Sequence, residues 1–184
     1  MIHVIEEANR CLQCKKPMCT TGCPISTNIP TMIKLFKEGN VKEAGQMLFE
    51  NNPLSVVCSL VCDHKKQCEG HCVLARRGQG IHISSIENYI SNAVLDTIEV
   101  PMAPKNGKMV AVIGAGPAGI TIAIEMAKKG YGVTIFDSKD KIGGVLQYGI
   151  PDFRLPKTIL VRYKKKLESM GILIRPNTTI GGAL

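Results

Sequence analysis

The stretch Cys11-Leu12-Gln13-Cys14-Lys15-Lys16-Pro17-Met18-Cys19-Thr20-Thr21-Gly22-Cys23-Pro24 sets four cysteines at gaps of two, four and three residues and closes on Cys-Pro. A second run, Cys58-x3-Cys62-x5-Cys68-x3-Cys72, holds the other four of the eight cysteines, and none follows it. Two thiol groups of this density suit a pair of 4Fe-4S centres, because each cubane takes four protein ligands and thiolate is the usual one. If the second run is helical, Cys58 with Cys62, and Cys68 with Cys72, share a face.

Three other readings of the cysteines compete. A disulfide framework needs an oxidising compartment, yet Met1 to Arg10 carries two acids and no long apolar core, so nothing there resembles a secretion signal. Structural zinc could take half of a tetrahedral site from Cys11-x2-Cys14 and half from Cys68-x3-Cys72, with His64 and His71 close by. Inert buried thiols are not expected to bunch at ligand spacing. The short gaps and terminal Cys-Pro favour iron, since they echo the bacterial ferredoxin run in which the cysteine before proline reaches the other cluster. The four-residue gap between Cys14 and Cys19 departs from the ferredoxin two. The two histidines read as polar residues beside a site.

The 184 residues suffice for one domain or two small ones, and 45% hydrophobic with 21% charged residues is ordinary for a globular protein. The most apolar stretch, between Lys108 and Lys128, is broken by Gly114, Gly116, Pro117, Gly119 and Glu125, so no membrane span is expected and the location is expected to be cytoplasmic. A net charge of +8 would ordinarily raise nucleic acid as a partner. Anionic clusters and a dinucleotide pyrophosphate would absorb much of that balance. With 4% aromatics and no tryptophan, stacking platforms for nucleic acid are lacking, and Arg162 to Lys166 reads as a solvated helix face.

Residues 1–100 read as an α-helical, loop-rich domain. Pro30 starts a helix through Glu38 that Gly39 closes, and Asn40-x-x-Glu43 resembles a capping box opening a second helix through Phe49. A third helix runs from Ser85 to about Leu95. Residues 101–108, with two prolines and Asn106-Gly107, form a linker. From 109 to 184 the period changes to that of an α/β domain. Met109–Ile113 is a strand, Ile120–Lys129 a helix, Gly132–Phe136 a strand, Lys157–Met170 a helix and Ile172–Ile174 a strand.

Between the first strand and its helix lies Gly114-Ala115-Gly116-Pro117-Ala118-Gly119, and Asp137 ends the next strand. In that setting the pattern is a dinucleotide fingerprint: small residues admit a pyrophosphate, the helix N-terminus supplies amides, and Asp137 accepts the ribose hydroxyls. No Gly-Lys-Ser/Thr follows, which disfavours a nucleotidase phosphate loop. An acid at 137 suits FAD or NAD better than NADP. The alternative is a turn that serves only strand-to-helix packing.

Both cysteine runs, Asn52-Pro53-Leu54, the Gly114–Gly119 turn and the stretch from Gly143-Gly144 to Arg154-Leu155-Pro156-Lys157 together resemble one family. It is that of the small subunit of NADPH-dependent glutamate synthase, with relatives in the N-terminal part of dihydropyrimidine dehydrogenase and the large subunit of ferredoxin:NADP oxidoreductases. The resemblance implies a helical domain holding two 4Fe-4S clusters, then the start of a Rossmann-like domain binding FAD through Gly114, Gly116, Gly119, Asp137 and Gly144. It gives one cluster Cys11, Cys14, Cys19 and Cys72, and the other Cys23, Cys62, Cys68 and the non-cysteine ligand Glu87, leaving Cys58 a bystander. Spacing alone would choose Cys58, and Ser84-x-x-Glu87 can also be read as a capping box. The resemblance further implies an oxidoreductase passing electrons from NADPH, bound beyond residue 184, through FAD and both clusters to a large glutamate synthase subunit or another electron-accepting subunit. The chain is then expected to be an N-terminal portion, inactive alone, with complete cluster ligation but a weak or defective FAD site, and no catalytic acid, base or nucleophile is named. Rival readings are a subunit of a pyrimidine-reducing or ferredoxin-linked enzyme, and a zinc-stabilised interaction module.

Overall fold

A computed structural model describes residues 3–181. The chain divides into two compact units, Met1–Ile98 and Glu99–Leu184. The outermost positions of the expected ranges 1–100 and 109–184, residues 1–2 and 182–184, lie outside the described residues.

The first unit is helical: α1 (Val4–Asn9), α2 (Met18–Thr21), α3 (Ile29–Lys37), α4 (Val41–Asn51), α5 (Ser55–Val61), a 3-10 turn at Val73–Arg77 and α6 (Ile83–Val94). Its core is built from stripes at helical spacing. Ile29, Met32, Ile33 and Phe36 face inward from α3, Ala44 and Leu48 from α4, and Ile83, Ile86 and Ile90 from α6. Cys68 and Cys72 belong to the same cluster, so the second cysteine run is laid directly on this core.

Capping shows where local pattern yields to tertiary contact. Asn28 caps α3, its Oδ1 accepting from the Thr31 amide at 3.4 Å, with Pro30 inside the first turn. Asn40 makes no side-chain cap bond at α4, so the expected Asn40–Glu43 box is not formed there. The Ser84–Glu87 box is not formed either. Instead the Glu7 carboxylate accepts from the His82 amide (2.8 Å) and the Glu69 carboxylate from the Ser84 amide (2.9 Å) and hydroxyl (2.7 Å). Two carboxylates from elsewhere thus satisfy the amides at the α6 N-terminus, where negative charge is favoured. They also tie α1 and the Cys68–Cys72 turn to α6.

The second unit is a three-stranded parallel sheet in the order β1 (Met109–Ile113), β2 (Gly132–Phe136), β3 (Leu173–Arg175), with Met109 opposite Gly132 and Thr134 opposite Leu173. Parallel neighbours need crossovers. These are α7 (Pro117–Lys128) between β1 and β2, and a longer path with α8 (Val145–Tyr148) and α9 (Lys157–Ser169) between β2 and β3. Ile120, Ala123, Ile124 and Ala127 of α7 are buried, as are Val112, Val133 and Ile135 of the sheet. The stretch expected as a linker is bonded to this unit, Ala103 N–H donating to Lys128 C=O (2.8 Å) and Asn106 N–H to Gly130 C=O (3.0 Å).

Candidate iron-sulfur and dinucleotide sites

The first cysteine run does not lie on one helix. Gln13 takes a left-handed conformation (φ 49°) between Cys11 and Cys14, Cys19 sits on α2, and Cys23 follows it. The chain therefore curls, and Cys11, Cys14 and Cys19 converge with Cys72 around one cavity walled by Ile29, Ile33, Leu74, Ile81 and Ile83. Burial pushes the Cys11 thiol up and the Cys19 thiol up to about 11; the nearby thiols Cys14 and Cys72 add to the first effect, and Cys72 and Cys11 to the second. Thiols crowded in apolar surroundings resist ionising singly, and a polycationic centre between them relieves that.

A second cavity of about 200 Å³ is lined by Cys23, Cys58, Cys62, His64, Cys68 and Glu87. Cys58 and Cys62 stand one turn apart at the end of α5, as helical spacing predicts. Cys68 and Cys72 occupy a turn, not a helix. Glu87 projects from α6 among Ile83, Ile86 and Ile90 and is 9% exposed. Burial, helped by Cys58, pushes its carboxyl up to about 8. Burial, then Glu87 and other acidic neighbours, push Cys68 up to about 12, whereas the neighbouring Cys58 thiol pulls the Cys62 thiol down. The ring of His71 lies against the Gln67 carbonyl at 2.7 Å.

The chain thus gathers Cys11, Cys14, Cys19 and Cys72 at one cavity, and Cys23, Cys62, Cys68 and Glu87 at the other, with Cys58 as a fourth sulfur in the second. Among the described residues no three His, Cys, Asp or Glu donors close on one ion-sized point. A tetrahedral zinc holds its sulfurs about 2.3 Å from a single centre, whereas a cubane takes four ligands around a larger body.

In the second unit the glycine turn has the expected close contacts. A Cβ on Gly119 would lie 1.9 Å from the Gly114 carbonyl oxygen, so a larger residue would lever α7 off the turn. At Gly116 a Cβ would meet open space, the side from which a pyrophosphate can approach the α7 N-terminus. Asp137 turns back to the loop: its Oδ2 accepts from the Ala115 amide at 2.6 Å and its Oδ1 from the Lys139 amide at 2.8 Å. A carboxylate offers about four lone-pair directions, so the two bonds leave acceptor capacity for ribose hydroxyls.

Gly144 (φ 53°) lies against the same turn, where a Cβ would come within 2.9 Å of Gly116 Cα, and the neighbouring Gly143 amide donates to Ala115 C=O at 2.7 Å. The Gly143-Gly144 pair is therefore an inner wall of the glycine turn. Lys157 Nζ steadies this wall by donating to the carbonyls of Leu146 and Ile150. Gly143 and Lys157 were not among the expected site residues, although the doubled glycine was the cue for the first. Among the described residues no helix is long and apolar enough to cross a membrane.

Comparison with known proteins agrees with this division. Residues 112–158 match an NAD(P)-binding Rossmann-like domain. Over 180 residues the chain is 41% identical to the glutamate synthase (NADPH) small chain of Azospirillum brasilense, covering 96% of this chain and 37% of the relative. The Escherichia coli small chain is 36% identical over 178 residues, 95% of this chain and 38% of the relative. The Escherichia coli NAD-dependent dihydropyrimidine dehydrogenase subunit PreT is 36% identical over 183 residues, 98% of this chain and 44% of the relative. The chain thus spans well under half the length of these relatives. The helical unit itself decides the family: residues 2–98, more than half of the chain, match dihydropyrimidine dehydrogenase domain II, 4Fe-4S cluster, and the chain belongs to that family.

Proposed function

We propose that this chain is the cluster-holding and flavin-binding front part of an NADPH-dependent, glutamate synthase-like oxidoreductase, carrying two 4Fe-4S clusters and receiving FAD at the Gly114–Gly119 turn. The observation that carries this reading is the pair of cavities, each lined by the donors one cubane requires. When bound, the flavin accepts hydride and the clusters take single electrons. The chain's own residues bind, orient and exclude water. Seven cysteines and Glu87 ligate iron, Ile29, Ile33, Ile81 and Ile83 keep the first cavity apolar, and the glycine turn with Asp137 and Gly144 seats the dinucleotide. NADPH is assigned to a site outside these residues. The resemblance to small chains favours a large glutamate synthase subunit as partner, with neither nucleic acid nor membrane involved and a cytoplasmic location.

The match to dihydropyrimidine dehydrogenase domain II and the likeness to PreT favour a second reading, in which the same electron path serves a pyrimidine-reducing partner. Co-purification and substrate assays on the longer protein separate the two. The electron-carrier reading itself is tested by an anaerobic absorption spectrum with iron, sulfide, zinc and released-flavin analysis. The expected result is about eight iron and eight sulfide per chain and a broad band near ~400 nm that dithionite bleaches. A colourless, zinc-loaded protein would overturn it.

A further inference from the structure

Thr27 carries the one hydroxyl among the side chains lining the second cavity, and it is 5% exposed. We propose that Thr27 is a positioning residue whose hydroxyl donates an O–H···S hydrogen bond to the cluster ligand Cys23 and so raises the reduction potential of the cluster held there. The proposal rests on the reading of Cys23, Cys62, Cys68 and Glu87 as that cluster's ligands.

The backbone brings Thr27 to Cys23. Pro24 follows the cysteine, and proline suits the second position of a tight turn. The Ser26 amide closes that turn on the Cys23 carbonyl at 2.9 Å. Ser26 then takes a left-handed conformation, φ 52°, and Thr27 comes to lie beside the cysteine. Thr27 Oγ1 stands 3.5 Å from Cys23 Sγ, hydrogen-bond distance for an atom as large as sulfur. The Cys-Pro that ends the first run therefore delivers a hydroxyl to the sulfur as well as placing the cysteine.

Asn51 fixes the hydroxyl from the other side. It ends α4, which packs against α3, and its Nδ2 donates to Thr27 Oγ1 at 3.0 Å. A hydroxyl has one hydrogen and two lone pairs. Asn51 engages a lone pair, and among the described residues the hydroxyl has no partner besides Asn51 and Cys23. In the metal-free chain the Cys23 thiol donates across this pair. Ligation releases the thiol proton to solvent. The one hydrogen then left between oxygen and sulfur is the hydroxyl's, and the thiolate is its acceptor. Hydrogen bonds to cluster sulfurs favour the more negative, reduced state, which is why they raise the potential.

The test uses the anaerobically purified chain and its Thr27→Val, Thr27→Ser, Asn51→Ala and Cys23→Ala variants, with iron and sulfide counted and midpoints read by redox titration under electron paramagnetic resonance. Thr27→Val keeps the shape and removes the donor, so its iron count is expected to equal wild type while one of the two midpoints moves negative. Thr27→Ser, which keeps the donor, is expected to hold its midpoints near wild type. Asn51→Ala changes an exposed side chain and frees the hydroxyl to turn, and a smaller shift of the same sign is expected. Unmoved midpoints in Thr27→Val would make the hydroxyl a space-filling group and overturn the proposal, as would a shift in Thr27→Ser equal to that in Thr27→Val. If Thr27→Val does not hold its iron, Asn51→Ala decides alone: a negative shift supports the proposal and unmoved midpoints overturn it. Wild-type protein without clusters, or wild-type iron in Cys23→Ala, would instead bring down the underlying assignment of ligands.

Discussion

Glu7 and Glu87 are both buried carboxyls, 7% and 9% exposed, yet their surroundings move them in opposite directions. Burial alone would raise Glu7, but the His82 amide and the Arg10 guanidinium, 2.6 Å away, outweigh it and hold the carboxyl below its usual range. A carboxyl depressed in the folded state stabilises the protein above its unfolded pKa, and that contribution fades as the pH falls through the folded value. Glu7→Gln is therefore expected to cost about 1–3 kcal/mol at neutral pH, the worth of charged hydrogen bonds to buried groups. The gap from wild type should narrow below about pH 4.5, the ordinary carboxyl value. Urea melts of both proteins at pH 7 and pH 4 check this; equal stabilities at pH 7 would show the contacts to be neutral. Burial instead raises the Glu87 carboxyl, so a cation in the cavity is what would keep it charged at neutral pH. Its burial was legible in the sequence, because position 87 falls on the stripe of Ile83, Ile86 and Ile90. What it does there was not, since an acid in an apolar stripe breaks the pattern without naming the partner that compensates.

At the scale of elements, legibility follows the range of the forces involved. Strands Met109–Ile113 and Gly132–Phe136 fall where the apolar runs placed them, because strand, turn and fingerprint are consecutive in the chain. The four- to six-residue helices α1, α2 and α8 left no mark, since segments that short have no resolvable period and form only through tertiary contacts. Caps show the same limit. The sequence pattern marks Asn40 as a cap and passes over Asn28, but only Asn28 bonds its helix, so Asn28→Ala is expected to cost about 1 kcal/mol. For Asn40→Ala the expected loss is below ~0.5 kcal/mol, as for an exposed residue away from any special contact. Parallel denaturant melts of the two variants decide this, and equal losses would contradict the capping difference. In the glycine turn, Gly119→Ala is expected to cost about 1–3 kcal/mol by forcing α7 away from the Gly114 carbonyl. FAD binding, followed by calorimetric titration, should weaken with it, whereas tight binding by the variant would show that the turn does not seat the dinucleotide.

Across the whole molecule, the two units are stabilised by different means. The sheet of the second unit is closed by its own ladder and by α7 and α9, all from within Glu99–Leu184. The first unit is a helical domain of fewer than 100 residues whose core includes Cys68 and Cys72 and whose two cavities interrupt the packing between helices and loops. A domain of that size has little stability to spare, and metal ligation adds folding free energy when the site does not pre-exist in the unfolded chain. Removing iron under reducing conditions with a chelator should therefore loosen the loops bearing Cys11–Cys23 and Cys58–Cys72 first, and then the α6 N-terminus that Glu7 and Glu69 tie to them. Hydrogen exchange followed by mass spectrometry is expected to show protection falling at least tenfold in those segments, about 1.4 kcal/mol or more, while the amides of β1 and β2 keep theirs. Unchanged exchange around both cysteine runs would mean that the loops are held by protein contacts alone. The clusters would then be passengers on a fold that the helical stripes complete without them.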